Sequence, residues 1–197
     1  MSFQPLNEYV AIASKDKTLS FHSLFQGVKL AQFTEEQEIN SIEFHPDGLM
    51  LVTGLKDGTI KIYDIRTHQE IFKLTDYKGE IGNIAFSNKG LHFAASWKSH
   101  DVCRIFNLRK LGKEVNEIKH AAPVNCVNFD NYGQYLLTGA GASLNIFAAS
   151  KHWTEEPLYT NEVAHETGIV NVAKFSSSGK MIVTGGSEDR FMKVFGL

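Results

Sequence analysis

Apolar and polar residues along this chain change period every few positions, and they do so in the same order several times over. INSIEF (39–44) carries Ile39 and Ile42 with Phe44 closing the run, which predicts an inner strand. HPDG (45–48) then turns the chain, because proline presets φ and glycine accepts a positive one. LMLVTG is apolar almost throughout, as a strand covered on both faces must be. KDG predicts a tight hairpin, and TIKIYD alternates again with Ile60 and Ile62 pointing one way. RTHQ turns once more before EIFKLT, a short outer strand. No window keeps an apolar 3.6 period for about ten residues, so no helix beyond a single turn is predicted.

The same unit recurs as SNKGLHFAASWKSHDVCRIFN (87–107), DNYGQYLLTGAGASLNIFA (130–148) and SSSGKMIVTGGSEDRFMKVFG (176–196). Phe44, Phe86, Phe129 and Phe175 are spaced by 42, 43 and 46 residues, and the turn glycines Gly48, Gly90, Gly133 and Gly179 keep the same intervals. A fainter copy, YVAIASKDKTLSFHS (9–23), places Asp16 where the repeat at 39 has Asp57. A period of about 40–45 residues without helices is that of a β-propeller blade. One four-stranded sheet has two apolar faces and buries neither alone, whereas radial stacking buries both. The expected fold is therefore all-β, an incomplete propeller with approximate repeats 1–38, 39–80, 81–123, 124–168 and 169–197. The first repeat is expected to lack its inner strand, since only MSFQPLNE precedes YVAIAS, and the last to lack its outer one. Four blades and a partial first one predict an open arc whose end faces favour self-association.

Composition narrows the function. The 197 residues are 43% hydrophobic and 21% charged with a net charge of -2, which gives no basic excess for a nucleic-acid surface. The N-terminus lacks the basic and apolar regions of a signal peptide, and no apolar run approaches the roughly 20 residues that span a bilayer, so an intracellular chain without membrane contact is expected. Cys103 and Cys126 fall in predicted strands without metal-ligand spacing and read as buried free thiols.

IKIYD (60–64) resembles the strand ending in Trp-Asp that names the WD-repeat proteins, with tyrosine for tryptophan; VCRIFN (102–107), MKVFG (192–196) and LNIFA (144–148) are weaker variants. Taken in order, HPDGL, IKIYD, GEIGNIAFSNKG, FNLRKL, FDNYGQYL, KHWTE and the terminus MKVFGL resemble the C-terminal propeller of the pre-mRNA-processing factor nineteen family. The resemblance covers residues 39–197 and rests most on FNLRKL (106–111) and KHWTE (151–155). It implies a segment of a splicing-associated U-box ubiquitin ligase of the NineTeen complex, with seven blades, a U-box and a tetramerising coiled coil. Neither of the last two is recognisable in these residues, which read as the C-terminal portion of a longer protein.

The WD-repeat resemblance also implies a hydrogen-bonded set of His, Ser/Thr, Asp and an aromatic residue in each blade. The last repeat offers His165, Thr184 and Asp189 with Phe195; the repeat from 124 offers His120 and Thr138 without the aspartate; the repeat from 39 offers Thr53 and Asp57 without the histidine. No histidine pairs with another at zinc-ligand spacing, so no metal and no cofactor are expected. Asp47, Asp57, Asp64 and Asp189 lie at turns, where aspartate bonds its own backbone. There is no phosphate loop or nucleophile elbow.

Candidate contacts to partners are the loops WKSHD (97–101), with Trp97 and Lys98, and LRKLGK (108–113), with Arg109, Lys110 and Lys113. Trp97 either packs between blades or stands out as an anchor, and Trp153 is expected to cover a blade edge. The function expected is a protein-interaction and substrate-binding module of a nuclear ubiquitin ligase acting in pre-mRNA splicing and DNA repair, itself without a catalytic site. Its partners would be proteins of a splicing-associated complex and ubiquitination substrates, with no direct nucleic acid. A scaffold of another WD-repeat assembly is the alternative, and an enzyme sited in a propeller channel a more distant one. Asn40, Asn83, Asn125 and Asn171 recur in the inner strands, which suits a structural ladder better than an active site.

Overall fold

A computed structural model describes residues 1–111, 114–151, 153 and 156–196. Lys113 and His152 therefore lie outside the described residues. The chain is all-β: five antiparallel sheets, each built from consecutive strands. The first sheet holds β1 (Ser2–Phe3), β2 (Tyr9–Ala13), β3 (Thr18–Ser23) and β4 (Lys29–Thr34), and the second β5 (Ile39–Phe44), β6 (Met50–Leu55), β7 (Ile60–Asp64) and β8 (Gln69–Leu74). The third holds β9 (Ile81–Phe86), β10 (His92–Trp97), β11 (Val102–Asn107) and β12 (Glu114–Lys119). The fourth holds β13 (Val124–Phe129), β14 (Tyr135–Ala140), β15 (Ser143–Ala148) and β16 (Tyr159–Asn161). The fifth pairs β17 (Val170–Phe175), β18 (Met181–Gly186) and β19 (Met192–Gly196). Single 3-10 turns at Leu108–Lys110 and Ala149–Lys151 are the helical segments among the described residues. The chain divides into two compact units, Met1–Ile84 and Ala85–Leu197.

The repeated phenylalanines end the inner strands β5, β9, β13 and β17, and each is followed by the same turn. Gly48, Gly90, Gly133 and Gly179 all take φ between 60° and 73°, and each amide donates to the carbonyl three residues back, at 2.7–3.1 Å. Only glycine adopts that conformation freely, hence its return at a fixed place. The first sheet departs from the expectation of a missing inner strand. β1 is present but two residues long, and its turn uses Asn7 at φ 57°, whose amide donates 2.8 Å to the Gln4 carbonyl. Asparagine is among the few residues that tolerate this conformation, so it replaces the glycine.

Second strands are buried and outer strands solvated, as the run pattern requires. Leu51 and Leu55 of β6 join Leu19, Phe21 and Phe44 in one buried cluster of the first unit, and Val52 is buried as well. In the second unit Leu136, Phe129, Ile105 and Ile118 form one cluster, and Leu137, Leu144, Val170 and Ile182 another. Of the recurring asparagines, Asn40 donates from Nδ2 to the Ile81 carbonyl of the next inner strand at 3.2 Å. The registers of β5, β13 and β17 skip at Asn40, Asn125 and Asn171, which places each at a β-bulge. Other side chains tie neighbouring inner strands: Ser2 Oγ accepts from the Phe44 amide at 3.2 Å, Ser41 Oγ from Ile84 at 3.0 Å, and Asn128 Oδ1 from Phe175 at 3.0 Å.

Candidate functional site

The fifth sheet brings three of the expected residues together. Thr184 lies mid-strand in β18, His165 in the segment approaching β17, and Asp189 in the turn between β18 and β19. His165 Nε2 is 2.9 Å from Thr184 Oγ1 and its Nδ1 is 2.5 Å from Asp189 Oδ2. Asp189 Oδ1 accepts from the Phe191 amide at 3.1 Å. Burial works against the Asp189 charge, but the Phe191 amide, His165 and Lys193 together hold the carboxyl below its ordinary value. The order hydroxyl–imidazole–carboxylate is that of a hydrolytic triad, yet His165 and Thr184 are both 0% exposed, so no substrate can reach the hydroxyl. The network binds a loop, a strand and a turn to one another.

The fourth sheet keeps half of this arrangement. His120 Nε2 is 2.8 Å from Thr138 Oγ1, while Nδ1 is buried with no partner among the described residues. Burial lowers the His120 pKa. A cavity of about 430 Å³ lies beside it, lined in part by Ala142, Asn145 and Glu162.

In the second sheet, Thr53 and Asp57 are not joined. Thr53 is buried and its hydroxyl has no partner among the described residues, whereas exposed Asp57 turns back to accept from the Thr59 amide at 2.9 Å. Without a histidine to span them, the carboxylate satisfies its own hairpin instead. Asp16, Asp47 and Asp64 make the same bond to the amide two residues on, at 2.8–2.9 Å. Sequence reasoning missed the group that occupies the histidine's place. Glu35 precedes Ile39 by four residues, as His120 precedes Val124, and that spacing is the signal that could have found it. Its carboxylate accepts from Lys61 Nζ at 2.7 Å and from the Tyr63 hydroxyl, and Lys61 also reaches Glu70 at 2.9 Å. Burial opposes the Lys61 charge, but the two carboxylates outweigh it and raise its pKa; burial and Glu35 raise that of Tyr63.

The candidate contact residues divide. Trp97 is fully buried at the end of β10, its ring 6.5 Å from that of Phe106 and covered by the Arg104 guanidinium at 5.0 Å. It is a core residue rather than an exposed anchor, with no solvent exposure at all. Lys98, Arg109 and Lys110 are exposed, the last two on the 3-10 turn that Asn107 caps by accepting from the Arg109 amide at 2.8 Å. Trp153 is buried at 4% exposure. Burial pushes the Cys103 and Cys126 thiols up to about 12, which leaves neither as a thiolate nucleophile near neutral pH. Among the described residues no group of three or more His, Cys, Asp or Glu could hold a metal ion, and no helix is long and apolar enough to cross a membrane.

Two family descriptions match. "Nucleolar protein 10-like, N-terminal domain", a β-propeller, covers residues 9–148, and "WD domain, G-beta repeat" covers residues 155–195. Among curated relatives, Pre-mRNA-processing factor 19 homolog 2 of Arabidopsis thaliana is 32% identical over 202 residues, which is all of this chain and 37% of that protein. Pre-mRNA-processing factor 19 of Oryza sativa subsp. japonica is 32% identical over 195 residues, 96% of this chain and 36% of its own length. The Bos taurus protein of that name is 29% identical over 200 residues, all of this chain and 38% of its own length. The chain thus spans little more than a third of the relatives it matches.

Proposed function

This chain belongs to the β-propeller family of nucleolar protein 10-like N-terminal domains and carries a WD repeat, and we propose that it is the protein-binding module of a pre-mRNA-processing factor 19-like protein. The observation that carries this reading is the 32% identity to pre-mRNA-processing factor 19 along the whole chain. The His165–Thr184–Asp189 network supports it from the other side, since its hydroxyl, imidazole and carboxylate groups are consumed in joining a strand to a loop and a turn. The exposed surface includes the loop residues Lys98, Arg109 and Lys110.

In this reading the chain holds splicing-complex proteins and ubiquitination substrates in the nucleus, in splicing and DNA repair, and ubiquitin transfer belongs to a U-box outside these residues. The test is a reconstituted ubiquitination assay with a panel of conjugating enzymes beside affinity capture from nuclear extract. The expected outcome is no ubiquitin chain formation and recovery of splicing proteins. Chain formation by residues 1–197 alone overturns the non-catalytic assignment. A second reading, a scaffold of another WD-repeat assembly, draws on the match of residues 9–148 to the nucleolar protein 10-like domain. Capture of nucleolar rather than splicing proteins would favour it.

A further inference from the structure

Two grooves occupy the same place in the repeat, and only one is filled. In the second unit, a groove between the third and fourth sheets runs past Ser87, Val115, Gly133 and Ala149 and holds the buried ring of Trp153. That ring lies 5.4 Å from Phe129 and 6.4 Å from His92, and Asn116 Nδ2 donates to the Trp153 carbonyl. About 190 Å³ of space remains there. In the first unit, the repeat places Gln4, Leu30, Gly48 and Ile65 at the matching positions around a groove of about 470 Å³ between the first and second sheets. The turn that delivers Trp153 at φ 56° has a counterpart with His68 at φ 53°, but His68 is exposed and only flanks Phe21, ring centroids 6.3 Å apart.

Nothing from the described residues of this unit takes the indole's place. Leu30 and Leu49 stay 42% and 40% exposed on the groove wall. Gln4 is 4% exposed, and its amide nitrogen donates to the Gly48 carbonyl at 3.1 Å while its oxygen is buried without a partner among the described residues. An unpaired buried acceptor is costly unless a donor arrives. Arg66 and Glu8 also line the groove.

We propose that this groove is a docking site for a partner peptide that inserts one tryptophan-sized aromatic side chain and donates a backbone N–H to Gln4 Oε1. The chain's own Trp153 is the template for the occupant: an indole entering past the turn glycine, edge-on to the aromatic residue of the inner wall. A groove of this volume, walled by Leu6, Phe21, Leu30, Leu49 and Ile65 with a few polar side chains among them, has the character of a ligand site. The proposal rests on the reading of the chain as an interaction module and adds the site and the chemistry of what enters it.

N-acetyl-L-tryptophanamide, which carries the ring and a backbone-like N–H, is the probe. Titrated into the ¹⁵N-labelled full chain and followed by amide chemical shifts, it is expected to move Gln4, Leu49, Arg66 and His68 saturably with a Kd of about 1 mM. Leu49→Arg, at a half-exposed position, is expected to weaken this at least about tenfold with an unchanged circular dichroism spectrum. His68→Trp, which places an indole on the turn as Trp153 is placed, is expected to block the probe and raise the melting temperature. Absence of saturable shifts at these residues, or equal shifts in folded Leu49→Arg, overturns the proposal. A failed titration with successful capture of splicing proteins would remove the groove and leave the module reading standing.

Discussion

His165 Nε2 lies 2.9 Å from Thr184 Oγ1, and neither side chain has any solvent exposure. A hydrogen bond in that setting matters less for the attraction it adds than for the desolvated groups left behind when it is broken.

Thr184→Val, which keeps the shape and removes the hydroxyl, is expected to destabilise the chain by about 1–3 kcal/mol by urea denaturation. Thr184→Ser should recover much of the loss. Equal stability of the valine variant and the parent would mean that the bond is not formed.

Lys61 is expected to be the costliest charge to remove from the first unit. The Glu35 carboxylate it meets is 2% exposed, so Lys61→Met strands a buried charge and should cost about 3 kcal/mol. The pair Lys61→Met with Glu35→Gln should cost less than Lys61→Met alone. A larger loss in the double variant, in the same denaturation experiment, would contradict the assignment.

Gly139 permits the close approach of β14 to β17. A Cβ there would meet Cys126 Sγ at 2.6 Å and Val170 Cγ1 at 2.8 Å, both buried. Gly139→Ala should cost about 1–3 kcal/mol through overpacking, read as a lower melting temperature. An unshifted melting temperature would mean that the two sheets separate without penalty.

Acid should act partly through Asp64. Bonds from the Arg66 side chain, opposed by burial and helped by the Arg66 and Thr67 amides, hold its carboxyl down at about 2. The unfolded value is about 3.9, so this contribution is complete above that pH and lost as pH falls toward about 2. Asp64→Asn should therefore flatten the stability curve between about pH 4 and pH 2 and leave its slope near neutrality unchanged. An identical acid limb in the variant would rule the linkage out.

The sheets were legible in the sequence because Phe44, Gly48 and their copies mark strand ends and left-handed turns, constraints that the backbone imposes at the same place each time. The inner strand of the first sheet was not, because two residues carry no period and Asn7 hides the turn. His165, Thr184 and Asp189 could be found because all three retain their residue types. Glu35 could not be found by type, since a carboxylate with Lys61 and Tyr63 replaces the imidazole pairing. Trp97 left two readings open because a tryptophan at the end of an apolar run suits either a core or a contact surface. The groove at Gln4 needed coordinates, as its contrast with the Trp153 site lies in volume rather than in residue pattern.

That this chain binds proteins of a splicing-associated complex is the central proposal. Quantitative mass spectrometry of proteins captured from nuclear extract by the immobilised folded chain, against an unfolded control of the same sequence, tests it most directly. Enrichment of splicing proteins on the folded chain alone is the expected result. No such enrichment, from bait proven folded by circular dichroism, would contradict it.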